Sequence, residues 1–321
     1  ESVFDIQAAV TGTVEETANV NGAWHIGFNG ALGTGGWGFY QPSYDMVNAH
    51  IVDANGLPLM DKSYRNQPVL TTLEDGNIPK TDLEVYTDPR LDVSAGRFET
   101  PYLDWTVPTR LDGWVRDVSN GGVYLNKKNI PRKADKGSLS NTTQTCSTAK
   151  NFHLIRYADV LLWYAEALIQ LGQPQEAGKY INQVRARAAN GYVKAADPAT
   201  MAETTSSYVL DDKVNGKQGA NAAANYRIGL YPDSQFSTKD KALEALRWER
   251  RIELCMEGHR WYDLARWGII SDVLNDYVKY ESQYLTKFSN SVYSPKWVTL
   301  PIPFNEILKM DGLLVQNENW K

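Results

Sequence analysis

The chain has 321 residues, which is enough for one large domain or two ordinary ones with a substantial core. Its formal net charge is −5. Lys and Arg are scattered or paired with acids, so the basic stripes typical of nucleic-acid-binding proteins are missing and we expect no nucleic-acid partner. No apolar run approaches the roughly 18 residues of a membrane-spanning helix.

Residues 1–150 are predicted to be loop-rich, with a few short strands. Gly and Pro recur throughout this region, as in residues 33–38 and 55–58, and they interrupt any long helical period. Long irregular loops in a compact protein are more often functional than accidental. We therefore expect the ligand-binding surface in this part of the chain.

Two short motifs in this region suggest specific ligands, but each is better explained as a turn. Residues 33–38, Gly-Thr-Gly-Gly-Trp-Gly, match a dinucleotide-binding pattern. Pro42 and Pro58 interrupt the segment after these glycines, and no alternation of strands and helices appears, so a tight glycine turn is favoured. Asp53 to Gly56 has the composition of part of a calcium-binding loop, but it lacks the further acidic ligands and the distal glutamate.

Tryptophans on loops are the strongest indication of a ligand. A loop tryptophan can lay its flat apolar face against the C–H side of a sugar ring while polar neighbours bind the hydroxyls. Each stacked ring contributes at most about 2–3 kcal/mol, so an oligosaccharide needs several. For each tryptophan alone, core packing is an equally good interpretation. The candidate ligand-binding residues are Trp24, His25, Asn29, Asp104, Trp105, Trp114 and Arg116, and we expect at least one of these tryptophans to line a surface groove.

Residues 151–321 are predicted to be mainly helical, beginning with a two-helix hairpin at 152–189. Apolar residues recur at helical spacing from Leu154 onwards. Gly172 suits the C-terminal cap of the first helix, and Pro174 suits the first turn of the second.

This hairpin has the pattern of a tetratricopeptide unit. Small Ala165 is expected to face small Ala177 across it. One such unit cannot bury its apolar residues alone. We therefore expect the chain by itself to lack part of its helical core, with Leu161, Leu168 and Val184 incompletely covered.

A polar loop is predicted at 190–238, followed by a charged helix at 242–268 that Gly258 bends or breaks. Opposite charges three residues apart lie beside an apolar stripe of this helix. Exposed pairs of this kind contribute only about 0.2–0.5 kcal/mol each, so we interpret the charges as a structural ion network against another part of the protein. Its members are Arg250, Glu253, Glu257 and Arg260. The tail at 297–303 is predicted to be extended and to lead into a short helix at 305–310.

The sequence gives little support for a catalytic site or a metal site. Glu253 and Glu257 could place two carboxyl groups at the roughly 5–5.5 Å separation of a retaining glycosidase. Neighbouring arginines, however, favour ionised carboxylates over the proton-holding acid that this reaction needs. Cys146 and Cys255 could form a disulfide only if the fold brings them together. No metal-ligand motif is present, and no cofactor is expected.

The segment from Glu249 to Gly268, E-R-R-I-E-L-C-M-E-G-H-R-W-Y-D-L-A-R-W-G, strongly resembles the signature of the SusD/RagB family. Further blocks agree in order along nearly the whole chain. They are Glu1–Gln7, Gly36-Trp37-Gly38 with Pro42, Asp45 and Val47, Asp88–Leu91, Leu154–Leu162 with Ala165–Ala167, Pro301–Pro303 and Gln316-Asn317. Because Trp37 lies in one of these blocks, it is interpreted as structural.

The resemblance implies a mainly α-helical fold with a tetratricopeptide-type scaffold and an irregular ligand face. It implies a cell-surface lipoprotein of the outer membrane that captures glycans, without a catalytic residue set, and delivers them to a SusC-type TonB-dependent transporter. Peptide capture, as the RagB branch suggests, and glycoside hydrolysis are the alternatives. Members normally begin with a signal peptide, a lipidated cysteine and a helical N-terminal half, so we expect this chain to be the C-terminal part of one SusD-like domain, with the helical half as a partner.

Overall fold

A computed structural model gives the fold of most of the chain. Contacts divide it into two compact units, Glu1–Glu257 and Gly258–Lys321. The residues that the structure describes are 2–9, 36–66, 85–98, 100, 102–106, 108, 114–128, 130–141, 147–189, 194–196, 203–208, 210–212, 217–218 and 226–321.

The described helices and strands confirm the mainly helical class, with longer helices after residue 150. The helices are α1 Tyr44–Asn48, α2 Leu91–Ser94, α3 Val118–Gly121, α4 Tyr157–Gln170, α5 Pro174–Ala188, α6 Lys239–Glu253, α7 His259–Arg266, α8 Ile270–Glu281 and α9 Phe304–Lys309. The strands are β1 Ser2–Ile6, β2 Ala95–Gly96, β3 Leu125–Asn126, β4 Phe152–Arg156, β5 Lys194–Ala196, β6 Glu203–Tyr208, β7 Leu210–Asp212 and β8 Lys217–Gln218.

The strands pair as four antiparallel two-stranded ribbons, β1 with β4, β2 with β3, β5 with β6 and β7 with β8. They correct two predictions. Residues 152–156 form strand β4 beside β1, so the helix begins at Tyr157 rather than at the start of the apolar period. The region 190–238, predicted to be a loop, contains strands β5 to β8. Its composition gives no signal for them, because strand preference depends on pairing more than on the residues themselves.

Helices α4, α5 and α6 form the centre of the first unit. The hairpin of α4 and α5 is confirmed: Gly172 has a φ of 79°, the left-handed conformation of a helix C-terminal cap, and Pro174 is the first residue of α5. Helix α6 begins after Thr238, whose side-chain oxygen accepts a hydrogen bond from the backbone N–H of Lys241. The shared core is Ala158, Leu161, Leu162, Ala165, Leu168, Ile169, Ala177, Ile181, Val184, Tyr231, Phe236, Ala242, Ala245 and Leu246.

The expectation that this core would be incomplete is wrong for the inner face of the hairpin. Leu161, Leu168 and Val184 are all buried within the chain. Helix α6 and the 3-10 turn Asp233–Phe236 supply the missing contacts, since both pack in the same cluster. The hairpin therefore obtains its cover from the segment that follows it along the chain.

A buried ion network joins α6 to the rest of the first unit. The Glu249 carboxylate accepts hydrogen bonds from Arg90 Nη1 and from Arg185 Nη1, the latter at 2.9 Å. The Glu253 carboxylate accepts from Arg90 Nη1 at 3.1 Å, from Arg156 Nη1 at 3.1 Å and from Arg187. The expectation that the charges of this helix are structural agrees with these contacts, whose partners come from other segments.

The network extends beyond Glu253. Glu257 pairs with Lys128 and receives two 2.8 Å hydrogen bonds from the Arg156 guanidinium. Arg250 donates to Asp159 of α4 at 2.7 Å. Arg260 lies on α7, in the second unit.

The second unit contains helices α7 to α9 and several 3-10 turns. The helix predicted at 242–268 is two helices: α6 ends at Glu253 and α7 begins at His259. The break expected at Gly258 is present, and Gly258 caps the start of α7 with a φ of 85° that favours glycine. Leu264, Ile270 and Tyr293 form a small core. The short helix predicted at 305–310 is confirmed as α9.

Replacing Glu253 by Gln should lower the thermal stability of the chain markedly. The change leaves three arginine contacts without their negative partner, and breaking a buried pair in this way costs about 3–5 kcal/mol. Thermal unfolding followed by circular dichroism measures the effect. Glu176→Gln is the matched control, because Glu176 pairs with Lys179 on the exposed surface of α5 and should cost about 0–1 kcal/mol. Equal melting temperatures for both variants would contradict the structural role.

The same network predicts how stability depends on pH. Burial alone would raise the pKa of Glu253, but Arg90, Arg187 and Arg156 more than offset it and lower the pKa from 4.5 to about 2. At Asp88, burial likewise raises the pKa, but Arg90 more than offsets it, and the pKa falls from 3.8 to about 2. Both carboxylates are more acidic folded than unfolded, so their stabilisation is complete above about pH 5 and is lost as the pH falls towards 2. Urea unfolding between pH 7 and pH 2.5 should show this loss, and the loss should be shallower in Glu253→Gln. A flat profile would contradict it.

Candidate functional site

The seven candidate ligand-binding residues have different outcomes. Trp24, His25 and Asn29 lie outside the described residues, so their role stays a prediction. The other four lie in two described stretches, around residue 104 and around residue 116.

Trp114 is a core residue, so its assignment as an open stacking surface is wrong. Its side chain is only 2% exposed. The indole Nε1 donates a hydrogen bond to the Val123 carbonyl at 2.9 Å, and the ring packs edge-on against Tyr102 and beside Phe98. A tryptophan on a loop can be buried without helical periodicity when its indole N–H donates to a carbonyl. The sequence alone does not show that such a carbonyl is nearby.

Asp104 and Trp105 lie in a turn that docks on a neighbouring segment. The Asp104 carboxylate accepts hydrogen bonds from the backbone N–H groups of Lys133 and Ala134, at 2.7 and 2.8 Å. Trp105 is half-buried, and its Nε1 donates to the Pro131 carbonyl at 2.9 Å. Both residues thus make contacts that hold the turn in place.

Arg116 is exposed and lies beside two aromatic rings that sequence reasoning did not select. Its guanidinium carbon is 5.4 Å from the ring centre of Trp37 and 5.6 Å from that of Phe39. Its Nη1 donates to the Trp37 carbonyl at 3.2 Å. Trp37 is 55% exposed and Phe39 44%. Trp37, Phe39, Tyr40 and Arg116 are called the aromatic platform below.

Tyr40 completes the platform with an unusual backbone conformation. It is 47% exposed, and its φ of 59° is left-handed, which costs a non-glycine residue on the order of 1–3 kcal/mol. Partial burial raises the pKa of Tyr40, with smaller contributions from Cys255 and Glu257. Its hydroxyl therefore stays protonated at neutral pH, able both to donate and to accept hydrogen bonds.

Two chain segments hold the platform together. Gln41 follows the aromatic residues, and its Nε2 donates to the Gly122 carbonyl at 2.8 Å. The Asn120 amide donates to Gln41 Oε1, also at 2.8 Å. These bonds tie the stretch after Trp37 to the stretch after Arg116, so the rings and the guanidinium keep a fixed relation.

The platform offers an apolar surface next to hydrogen-bonding groups. Three partly exposed rings within four residues supply flat faces, and Arg116 supplies donors at their edge. The sequence analysis interprets Trp37 as structural because it lies in a family block. The sequence did contain an indication of this surface, because three aromatic residues, Trp37, Phe39 and Tyr40, lie close together in a segment without helical periodicity. Such a segment does not bury its aromatic residues on one face of a helix.

Other polar clusters in the first unit are better explained as structural. Arginine and lysine neighbours keep Glu253 and Glu257 ionised: against burial, Lys128 and Arg156 lower the pKa of Glu257. Neither carboxyl therefore holds the proton that a glycosidase acid needs. Among the described residues, no group of three or more His, Cys, Asp or Glu could hold a metal ion.

Cys255 is a free and buried thiol, and Cys146 lies outside the described residues. The Sγ of Cys255 is 3.7 Å from His50 Nε2. His50 Nδ1 is 2.9 Å from the Met46 carbonyl, which can only accept, so this nitrogen carries a proton and Nε2 faces the thiol. Burial would raise the pKa of Cys255, but Lys128 and His50 lower it.

Known proteins resemble the chain in sequence and in fold. SusD-like protein P38 of Formosa agariphila is 35% identical over 116 residues, which cover 36% of this chain and 17% of that protein. SusD-like protein P25 of the same organism is 32% identical over 165 residues, covering 51% of this chain and 23% of that protein.

No helix in the described parts of the chain is long and apolar enough to cross a membrane.

Solved structures show the same fold at low sequence identity. A SusD-like protein from Bacteroides fragilis has a TM-score of 0.60 at 19% identity, over 99% of this chain and 54% of that one. A SusD superfamily protein from Bacteroides vulgatus has a TM-score of 0.53 at 22% identity, over 100% of this chain and 51% of that one. Surface glycan-binding protein A from Bacteroides fluxus has a TM-score of 0.51 at 21% identity, over 99% of this chain and 50% of that one. The chain thus spans about half the length of these solved relatives.

The SusD/RagB resemblance first carried by the segment from Glu249 to Gly268 is confirmed on a broader basis. The sequence profile of the SusD family matches residues 1–320, which is almost the whole chain. The chain therefore belongs to the SusD family.

Proposed function

We propose that the chain is the glycan-binding part of a cell-surface capture protein, and that the aromatic platform is a contact surface for sugar rings. The observation that carries the proposal is the pair of half-exposed rings, Trp37 and Phe39, held in place by Arg116. Family membership supports glycan binding as the general activity, and a relative of the same fold is a surface glycan-binding protein.

The energetics fit weak, repeated contacts along an oligosaccharide. Stacking one sugar on Trp37 removes on the order of 100 Å² of apolar surface from water, worth at most about 2–3 kcal/mol before ordering costs. Holding Trp37 and Arg116 in place beforehand reduces those costs, because less side-chain freedom is lost on binding. Because even a millimolar Kd needs about 4 kcal/mol, one stacked ring is not sufficient alone, and Trp24 stays a candidate for a further contact.

The two alternatives receive less support. Peptide capture relies on backbone hydrogen bonding, whereas the described features of the platform are ring faces and one guanidinium. Hydrolysis needs a protonated carboxylic acid, and the Glu253–Glu257 pair is ionised. We propose that the chain has no catalytic activity of its own.

Replacing Trp37 by Ala should weaken oligosaccharide binding by about 1–3 kcal/mol and leave the fold intact, because a half-exposed ring contributes contact area but little core. Calorimetry with a panel of soluble oligosaccharides measures the affinity, and circular dichroism checks the fold. Trp163→Ala is the matched control, since Trp163 is a 41% exposed tryptophan on α4. Equal losses in both variants, or no loss in Trp37→Ala, would contradict the proposal.

The partner proposals concern the whole protein. We propose that it is held at the outer membrane by a lipid anchor outside this chain, and that it delivers glycans to a SusC-type TonB-dependent transporter. A helical half ahead of residue 1 is the third proposed partner. The exposed outer face of α4 supports it: Tyr157, Tyr164 and Leu171 recur every seven residues and are 50%, 50% and 75% exposed. This spacing is typical of a face that packs along another helix.

In a longer polypeptide carrying the helical half, Tyr157 and Tyr164 should become protected from hydroxyl-radical oxidation, because a packed helix excludes solvent from them. Oxidative footprinting followed by mass spectrometry compares that polypeptide with the 321-residue chain. Trp37 serves as the internal control and should stay reactive in both. Equal oxidation of the two tyrosines in both polypeptides would contradict this packing.

A further inference from the structure

Among the described residues, no acidic side chain neutralises the charge of Arg116. The contacts that the structure describes for its guanidinium are the Trp37 carbonyl and the rings of Trp37 and Phe39, and no described carboxylate pairs with it. A guanidinium carries five N–H donors in a planar fork. One of these N–H donors binds the Trp37 carbonyl. The Arg116 side chain is exposed, so the other donors are accessible to a ligand.

Two other arginines that stack on rings, Arg185 and Arg251, have a carboxylate partner. Arg185 lies over Tyr231 and donates to Glu249 at 2.9 Å. Arg251 lies over Trp248 and donates to Asp45 at 2.6 Å. Their charges are paired within the first unit, whereas no described carboxylate pairs with Arg116, which can therefore bind an anionic group of a ligand.

The acidic residue next to Arg116 is engaged elsewhere. Asp117 is the N-terminal cap of α3: its carboxylate accepts from the backbone N–H of Ser119 at 2.9 Å and from the Ser119 hydroxyl at 2.7 Å. The backbone of Trp37 and the two rings hold the guanidinium at the edge of the platform. A positive planar fork beside a stacking surface is the arrangement that binds a carboxylate or sulfate group bidentately.

Building on the proposed glycan-binding function, we propose that the aromatic platform selects sugars that carry an anionic substituent, a carboxylate or a sulfate ester. The sugar ring lies on Trp37, and its anionic group pairs with the Arg116 guanidinium. The preference is a contact effect, because the net charge of −5 gives the chain no general attraction for anions.

The test uses ligand pairs that differ only in charge. One pair is an oligogalacturonate and its fully methyl-esterified form, and the other is a sulfated galactan tetrasaccharide and its chemically desulfated form. Calorimetry on the 321-residue chain should show tighter binding of at least one acidic member, by roughly tenfold over its neutral form, which is the size of a charge-assisted hydrogen bond. Which pair responds distinguishes carboxylate from sulfate.

Arg116→Gln should abolish this preference, so that each acidic member binds no more tightly than its neutral form, since glutamine keeps a polar side chain without the charge. Arg116→Lys keeps the charge without the fork and should restore only part of the preference. If each acidic ligand binds no better than its neutral form, while Trp37→Ala still weakens binding, the inference is overturned and the glycan-binding proposal stands. If Trp37→Ala has no effect, or none of the four ligands binds, both are overturned.

Discussion

Two buried glutamates of α6 are the contacts on which the first unit depends. Glu249 and Glu253 receive arginines from three other segments, at positions 90, 156, 185 and 187. Removing such charges from water costs several kcal/mol per ion, and only close opposite charges and full hydrogen bonding repay it. Each arginine must therefore reach these carboxylates in the folded state. The segments that carry the arginines are fixed relative to α6 as a result, in addition to the burial of apolar side chains such as Leu91, Tyr102 and Tyr124 within the loop-rich region.

Both parts of the aromatic platform are connected to this helix. Arg251 of α6 donates to Asp45 of α1 at 2.6 Å, and α1 begins four residues after Tyr40. On the other side, Lys128 donates to the Glu253 carbonyl at 2.8 Å and pairs with Glu257, and the chain runs from Lys128 back through α3 to Arg116. The signature charges thus hold the two stretches that carry the proposed binding surface, and their own contacts are structural. This explains how a segment can be the best marker of the family while none of its residues lies on the platform.

The sequence predicted what local signals determine. The helical hairpin was visible because apolar spacing, Gly172 and Pro174 act within a few residues, and Gly258 indicated the break between α6 and α7 for the same reason. Charges beside an apolar stripe were enough to predict a structural ion network. The arginine partners of Glu249 and Glu253 could not be predicted, because they lie far away in the sequence. No local pattern shows which arginine pairs with which carboxylate. Exposure of the tryptophans was equally non-local: Trp114 packs against Tyr102 and Phe98 and is buried, whereas Trp37 stays 55% exposed with the Arg116 guanidinium over its ring.

The aromatic platform as the sugar-binding surface is the central claim, and nitrogen-labelled indole resonances test it most directly. Each tryptophan gives one indole signal in a two-dimensional ¹H–¹⁵N spectrum, and Trp37→Ala assigns the signal of Trp37. Adding oligogalacturonate or sulfated galactan tetrasaccharide should shift the Trp37 signal in a saturable way. The signals of Trp105 and Trp114, whose N–H groups are bonded to the carbonyls of Pro131 and Val123, should stay in place. A saturable shift of other indoles with Trp37 unchanged would contradict the account.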